Sequence, residues 1–314
     1  MHGGTAEPEV VGAVASQLLS EDLLGPPQRL ARGYRNENWT VRVRGRSVLV
    51  KIANLDADLG KLAAAWCAQD LAHRSGVPTG KPVGFLERCD ALGGRTVRLI
   101  EYIEGGRPED SLGADGSVAP FFASLGETIA HLHRIPVRGF SSRLDGSAPT
   151  FDTWEGYVNH RLVSVTQRAL DTAVFTKREL RAATEGLDQL AGRVSPVVTP
   201  SLTHRDLYLE NLLAGEGGTV HALLDWDTAE AWDPMVDLVK LRWQVFSRYA
   251  GASQAFWRTY IGAGAPPPLL GERLHLVDVL ELVNTVSNAR MAGWANFEEQ
   301  SRRNLEEAVT RFQS

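Results

Sequence analysis

Residues 202–227 constrain the chain most. The stretch runs through His204-Arg205-Asp206, reaches Asn211 five residues after Asp206, and closes on Asp225-Trp226-Asp227. Short apolar pieces at 212–214 and 220–224 flank the turn Gly215-Glu216-Gly217-Gly218, which predicts a hairpin. Such a hairpin carries a carboxylate and an amide at one end and a second carboxylate where its return strand finishes. Oxygen ligands grouped this way suit a hard cation, and the arrangement leaves Asp206 to face a hydroxyl.

Composition narrows the partners. Hydrophobic residues make up 43% and charged residues 23% of 314 residues, as in soluble globular chains. Acids exceed bases by 38 to 33. That argues against nucleic acid, whose backbone demands concentrated Lys and Arg, and favours a cationic small molecule. Two cysteines, Cys67 and Cys89, lack metal-like spacing and suggest a reducing compartment. Residues 1–10 carry acids and glycines instead of a basic, then apolar, leader. No apolar run approaches the roughly 20 residues that span a bilayer. A cytoplasmic protein without membrane contact is expected, and a monomer, because no heptad or interface stripe is visible.

Along the chain, 9–24 reads as a helix stopped by Gly25-Pro26-Pro27. Strands are expected at 28–31, 39–44 and 47–52, from the alternation of Val41 with Val43 and Val48 with Val50. A helix over 57–74 and strands at 81–87 and 95–104 follow. The breaker Gly105-Gly106-Arg107-Pro108 then marks a boundary. Residues 1–104 read as a sheet-rich lobe with one main helix, the hinge spans about 99–106, and 107–314 reads as a mostly helical lobe. In the second lobe, helices are expected at 121–134, 152–171, 176–192, 235–262, 270–292 and 297–312. No internal repeat or low-complexity tract appears.

Lys51, between Val50 and Ile52, would by itself read as an outward strand lysine. Its order relative to the later motifs changes that. His204 through Asn211 fits the kinase catalytic-loop pattern H-R-D-x-x-x-x-N. An aspartate ending Leu223-Leu224-Asp225 stands 14 residues after the Asn, and Asp233-Pro234-Met235-Val236-Asp237 follows. With the loop 33–38, the segment Leu99-Ile100-Glu101-Tyr102 and the helix around 125–133, the chain resembles the aminoglycoside phosphotransferase family over nearly its whole length. That family is the small-molecule branch of the protein-kinase-like fold.

The resemblance implies an α+β bilobal fold with an antiparallel-sheet first lobe that binds ATP with Mg²⁺ (GTP not excluded) and a helical second lobe that binds the acceptor. Asp206 would be the base that orients the hydroxyl, while Asn211 and Asp225 hold metal. Lys51 would reach the α/β-phosphates, with Gly33 and Asn36 covering them. Backbone groups of Glu101 and Ile103 would meet the adenine edge. His204 and Asp237 would organise the catalytic loop. His131 and His133, two apart on a helix, face apart and read as structural. Trp226 reads as core.

Two departures stand out. The family pairs its strand lysine with a glutamate on the first-lobe helix. Here no Glu occurs between Asp58 and Gly76, which leaves Asp70 as the nearest acid and Gln69 as a weaker substitute. There is also no long activation segment between Asp225 and Asp237, which disfavours a protein kinase.

For the acceptor, Asp227, Glu230 and Asp233 together with Glu298 (and Glu281 and Glu299) read as an acid-lined cleft suited to a polycation, although scattered carboxylates are equally a solvated surface. Trp154, Tyr157, Trp294 and Phe297 could add cation–π contacts, or be core. The leading expectation is O-phosphorylation of a cationic antibiotic, an aminoglycoside or a basic cyclic peptide of the viomycin–capreomycin type, conferring resistance. The alternatives are a metabolic kinase of the same fold (choline, homoserine, methylthioribose or a sugar) and a non-catalytic nucleotide-binding module.

Overall fold

The structure is a computed structural model that describes residues 5–31, 36–112, 118–144, 147–262 and 266–313. Gly33 lies outside these residues. The first part of the chain is one antiparallel sheet with strand order β1-β2-β3-β5-β4. Its strands are β1 (Gln28–Arg29), β2 (Asn36–Val43), β3 (Arg46–Ala53), β4 (Pro82–Cys89) and β5 (Arg95–Glu101). Alternation sets the faces. Val41, Val48, Val50, Ile52, Val97 and Leu99 are fully buried in one cluster with Val11 and Ala15. Those last two come from helix α1 (Pro8–Leu19), which covers that face. Lys51 falls between two inward residues, so its side chain leaves on the opposite face. Its cross-strand partners are Asn38 on β2 and Arg98 on β5.

Helix α2 (Leu59–Arg74) is capped by Asp58, whose side chain accepts from Lys61 N–H. Its alanines let it lie close to both parts of the molecule: Ala68 and Ala72 are buried with the large helical core instead of the sheet cluster. After β5 the chain bridges to the later hairpin, where Gly106 and Ala214 exchange backbone hydrogen bonds of 3.2 and 2.9 Å.

The helical part contains α3 (Pro108–Ser111), α4 (Val118–Leu132), α5 (Trp154–Asp171), α6 (Lys177–Thr184), α7 (Leu187–Val194), α8 (Leu238–Lys240), α9 (Ala252–Gly262), α10 (Leu270–Ala292) and α11 (Ala295–Gln313). Helix α4 packs so tightly on α9 that a Cβ at Gly126 would sit 2.4 Å from the Phe256 carbonyl. Two small ladders lie between the helices: β6 (Ser201–Thr203) with β9 (Glu230–Trp232), and β7 (Leu212–Ala214) with β8 (Val220–Leu223). The second is the hairpin expected at 212–224. Among the described residues no helix is long and apolar enough to cross a membrane.

The α+β class, with an antiparallel sheet followed by helices, is the one expected. Two helices differ from expectation. The segment 176–192 breaks at Gly186, which has φ 77° and so starts α7 afresh, a conformation glycine tolerates best. The segment 235–262 is no single helix. It winds through a 3₁₀ turn at Pro234–Asp237, α8, a π turn at Leu241–Val245 and a second 3₁₀ turn before α9. An apolar period near 3.6 cannot distinguish these pitches.

Candidate active site

The catalytic loop is held by one buried carboxylate. Asp237 is 1% exposed. Its Oδ2 accepts from His204 N–H at 2.9 Å and faces His133 Nε2 at 3.0 Å, while its Oδ1 accepts from Arg205 N–H. Burial would raise this carboxyl, but the hydrogen bond and charge of His133 and the His204 contacts outweigh it and hold it below the ordinary carboxylate value. The grip is needed because Arg205 takes φ 63°, a left-handed conformation that costs a side-chain-bearing residue about 1–2 kcal/mol. His204 is fully buried. Its Nε2 lies 2.9 Å from the Leu224 carbonyl and its Nδ1 3.2 Å from Asp206 N–H. A carbonyl can only accept and an N–H only donate, so His204 is the neutral Nε2–H tautomer. One imidazole thus ties the loop to the end of the hairpin.

The hairpin end is fixed in turn. Leu224 N–H donates to the Asn211 carbonyl at 2.8 Å, and Trp226, 1% exposed, donates its indole N–H to Thr79 Oγ1 at 2.9 Å. Between them Asp225 has φ 61°, the second left-handed residue of the site. Its Oδ1 accepts from Lys51 Nζ at 3.0 Å, and its side chain is 46% exposed. Asn211 donates through Nδ2 to the Asp206 carbonyl and to Asp206 Oδ2, at 2.9 and 2.8 Å. Asp206 Oδ1 meets Lys240 Nζ, whose ammonium lies 4.5 Å from the Tyr208 ring centroid. So Lys51 pairs with Asp225 and Asp206 with Asn211, and the Leu224–Asn211 backbone bond joins the two pairs.

The residues fit a divalent ion. Asn211 spends its NH₂ on Asp206, which leaves its amide oxygen, and Asp225 spends one carboxylate oxygen on Lys51, which leaves the other. Among the described residues no three His, Cys, Asp or Glu are arranged to hold a metal. Two oxygen donors suit Mg²⁺, which takes one or two protein ligands plus phosphate oxygens and water.

The nucleotide-side residues fall out differently than expected. Asn36 turns its Nδ2 to Asp227 Oδ2 at 2.9 Å. The Glu101 N–H is already used by the Lys81 carbonyl at 2.8 Å, so the backbone group Glu101 could offer an adenine edge is its carbonyl. The reason is that β4 still pairs with β5 at this point. The Glu101 carbonyl remains, packed so closely on Gly80 that a Cβ there would lie 2.4 Å away. Ile103 N–H donates to no other described residue. Asp70 is not the partner of Lys51: it pairs with Arg74, one turn along, at 2.8 Å.

The acid-lined cleft is also corrected. Asp227 is held by Lys51 at 3.2 Å and by both terminal nitrogens of Arg98 at 2.7 and 3.2 Å. Burial alone would raise its carboxyl, but these two cations outweigh that and hold it far below the usual range. Glu230 pairs with Arg205 at 2.6 Å and accepts from the Tyr157 hydroxyl. Asp233 is completely buried, bound by Arg273 at 3.0 and 2.7 Å, and caps the turn at Met235 N–H. Glu298 binds Arg290 and Arg302. Glu281 is bonded by Arg161 and Arg205 at 2.9 and 2.8 Å, and both guanidiniums lie over Trp232, 5.2 and 4.8 Å from its centroid. Glu298 takes arginines 8 and 4 positions away, but Asp227, Asp233 and Glu281 are neutralised by arginines 129, 40 and 76 or more positions away, which a charge count along the chain cannot register. Trp154 and Tyr157 are core.

Sequence reasoning passed over Arg98 and Lys240, and read His133 as structural without its partner Asp237. Arg98 carried a signal, since it alternates with Val97 and Leu99 on a strand facing that of Lys51. Lys240 and His133 carried none, because each reaches its partner only through the packing of distant segments.

A search of the curated proteins finds no match to the sequence. Three solved structures share the fold across almost the whole chain. A thermostable mutant of aminoglycoside phosphotransferase APH(4)-Ia, in ternary complex with AMP-PNP and hygromycin B, is 13% identical, with TM-score 0.70 over 96% of this chain and 97% of that one. The GDP complex of wild-type aminoglycoside 2'-phosphotransferase-IIIa is 15% identical, with TM-score 0.62 over 95% and 96%. The gentamicin complex of APH(2'')-IIa is 13% identical, with TM-score 0.67 over 96% and 96%. At such identity these likenesses carry the fold, which is the bilobal protein-kinase-like one. The family model for the phosphotransferase enzyme family matches residues 27–269. The chain belongs to that family and is a phosphotransferase with a hydroxyl acceptor.

Proposed function

We propose that the protein transfers the γ-phosphoryl group of ATP to a hydroxyl of a small molecule, with an antibiotic as the leading acceptor class and resistance as the consequence. The observation that carries the reading is the convergence of Lys51, Asp206, Asn211 and Asp225, bonded to one another through side chain and backbone. In this reading residues 1–104 form the nucleotide lobe and 107–314 the catalytic and acceptor lobe. Lys51 meets the α/β-phosphates as a compact charge, and the Glu101 carbonyl and Ile103 N–H take the adenine edge. Asn211 and Asp225 would hold Mg²⁺, which supplies charge neutralisation to the transferring phosphoryl group.

Asp206 orients the acceptor hydroxyl in line with the phosphorus and takes its proton as the new O–P bond forms and the bond to ADP breaks. The hydroxyl must first displace Lys240 from Asp206 Oδ1, and the lysine then stands beside the transferring group. His204 and Asp237 fix the loop that carries Asp206.

The relatives' complexes with hygromycin B and gentamicin support a cationic antibiotic. One observation favours a second reading, an uncharged or zwitterionic metabolite such as a sugar or homoserine: Glu230 and Glu281 are already neutralised by Arg205 and Arg161. ATP consumption across aminoglycosides, basic cyclic peptides, choline, homoserine, methylthioribose and sugars separates the readings, and expression in a sensitive host checks the first. Protection against an aminoglycoside or cyclic peptide is the expected result. Turnover on a metabolite with no protection would move the second reading ahead.

A further inference from the structure

The lysine at the roof of the cleft receives nothing from the helix beside it. Between Leu59 and Arg74 the only acid is Asp70, which is spent on Arg74. Gln69, buried on the same helix, donates to the Gly80 carbonyl at 2.8 Å. The carboxylate that does reach Lys51, besides Asp225, comes from across the cleft. Asp227 receives one donor group from each of three strands: Asn36 on β2, Lys51 on β3 and Arg98 on β5. Lys51 and Arg98 are direct cross-strand partners, so they project side by side from one face of the sheet. The Arg98 fork grips both oxygens of Asp227, a geometry that fixes orientation as well as charge.

We propose that Arg98 and Asp227 form a positioning pair that aims the Lys51 ammonium at the phosphate site and latches the sheet to the catalytic hairpin. The role of Lys51 rests on the phosphotransferase reading; the latch itself does not. The charges support the assignment. Lys51 and Arg98 face Asp225 and Asp227, two against two, with Lys51 shared between the carboxylates at 3.0 and 3.2 Å. Arg98 grips both oxygens of Asp227 and keeps it in place, while Lys51, with two donors on the carboxylates, has its third left for a phosphate. Removing Asp227 would leave two neighbouring cations with one acid. It follows that the aim of Lys51 depends on how the sheet sits against the hairpin, and not on the position of α2.

The test uses the full-length protein with Asp227→Asn, Arg98→Lys, Arg98→Met, the double variant and Asp70→Asn. ATP affinity is measured with Mg²⁺ and in EDTA, KM and kcat are measured with an accepted substrate, and thermal unfolding is followed without ligand. Asp227→Asn and Arg98→Lys should weaken ATP binding and raise its KM by about tenfold or more, with a smaller change in kcat. The weakening should persist in EDTA. Asp70→Asn should match the wild type. In unliganded unfolding, the double variant should lose less than the sum of Arg98→Met and Asp227→Asn.

Loss of affinity only when Mg²⁺ is present would make Asp227 a metal ligand and overturn the proposal. So would additive unfolding shifts, or wild-type ATP binding in both single variants. A wild type that binds no ATP would defeat the phosphotransferase reading instead, and the unfolding cycle would still decide the latch.

Discussion

The two sides of the catalytic loop treat their carboxylates in opposite ways. On the side proposed to meet the nucleotide, Asp225 keeps one oxygen clear and is nearly half exposed, as the proposed metal ligand would need to be. On the acceptor side Glu230, Asp233 and Glu281 are each closed by an arginine. Those arginines have further contacts of their own, Arg205 and Arg161 with the Trp232 ring and Arg273 with the Pro268 carbonyl. The same residue type therefore serves as available charge on one side and as scaffold on the other. What separates them is the arginine brought by the fold, and burying a pair favours order of structure over free charge.

The contrast can be broken most sharply at Asp206, which stands between the two sides. Asp206→Asn should lower kcat by roughly 10²–10⁴-fold while ATP affinity stays near the wild-type value by calorimetry. Arg205→Met should act on stability as well. It leaves Glu230 and Glu281 buried without their shared partner, so chemical denaturation should show a loss of about 3–5 kcal/mol. If stability barely changes, those acids are available to a cationic acceptor after all.

Asp278 extends the acceptor-side pattern one turn along α10 from Glu281. It pairs with Arg242 at 2.6 Å, yet burial pushes its carboxyl up to about 6. A raised value means the folded protein binds the proton more tightly. The stability this group contributes is complete below the unfolded value near 4 and is lost as pH rises through about 6. The wild type should therefore gain stability relative to Asp278→Asn between pH 7 and pH 5, and comparing the two cancels groups such as His275, whose value is lowered by burial. Equal pH profiles would show that Arg242 keeps the carboxylate ionised throughout.

The smallest effect is expected at Glu298. It is 8% exposed, but it joins Arg290 and Arg302 at a helix end where Arg290 is half exposed, and ion pairs with a solvent-exposed partner contribute little. Glu298→Gln should leave KM for every acceptor unchanged and the melting temperature nearly so.

The grouping of Lys51, Asp206, Asn211 and Asp225 was legible in the sequence because these residues sit at fixed spacings on local structure. Asp206 and Asn211 share one loop, Asp225 ends the adjoining strand, and Lys51 is marked by the alternation around it. The acceptor side was not legible. Which acids remain available depends on Arg161, Arg205 and Arg273, whose partners lie 120, 76 and 40 positions away. The partner of Lys51 was missed for the same reason: Asp227 lies 176 positions on, while the search for an acid looked to the neighbouring helix. In the fold, strands β2 and β3 were legible from the apolar alternation of Val41, Val43, Val48 and Val50. The winding of 234–248 escaped because an apolar period near 3.6 does not distinguish 3₁₀, α and π pitches.

Phosphorus NMR of the wild type and Asp206→Asn, each with Mg²⁺, ATP and the acceptor panel, tests the central claim most directly. The expected result is ADP and a new phosphomonoester in equal amounts with at least one acceptor, both formed at least about a hundredfold more slowly with Asp206→Asn. Nucleotide binding without any phosphomonoester, or product from Asp206→Asn at the wild-type rate, would contradict it.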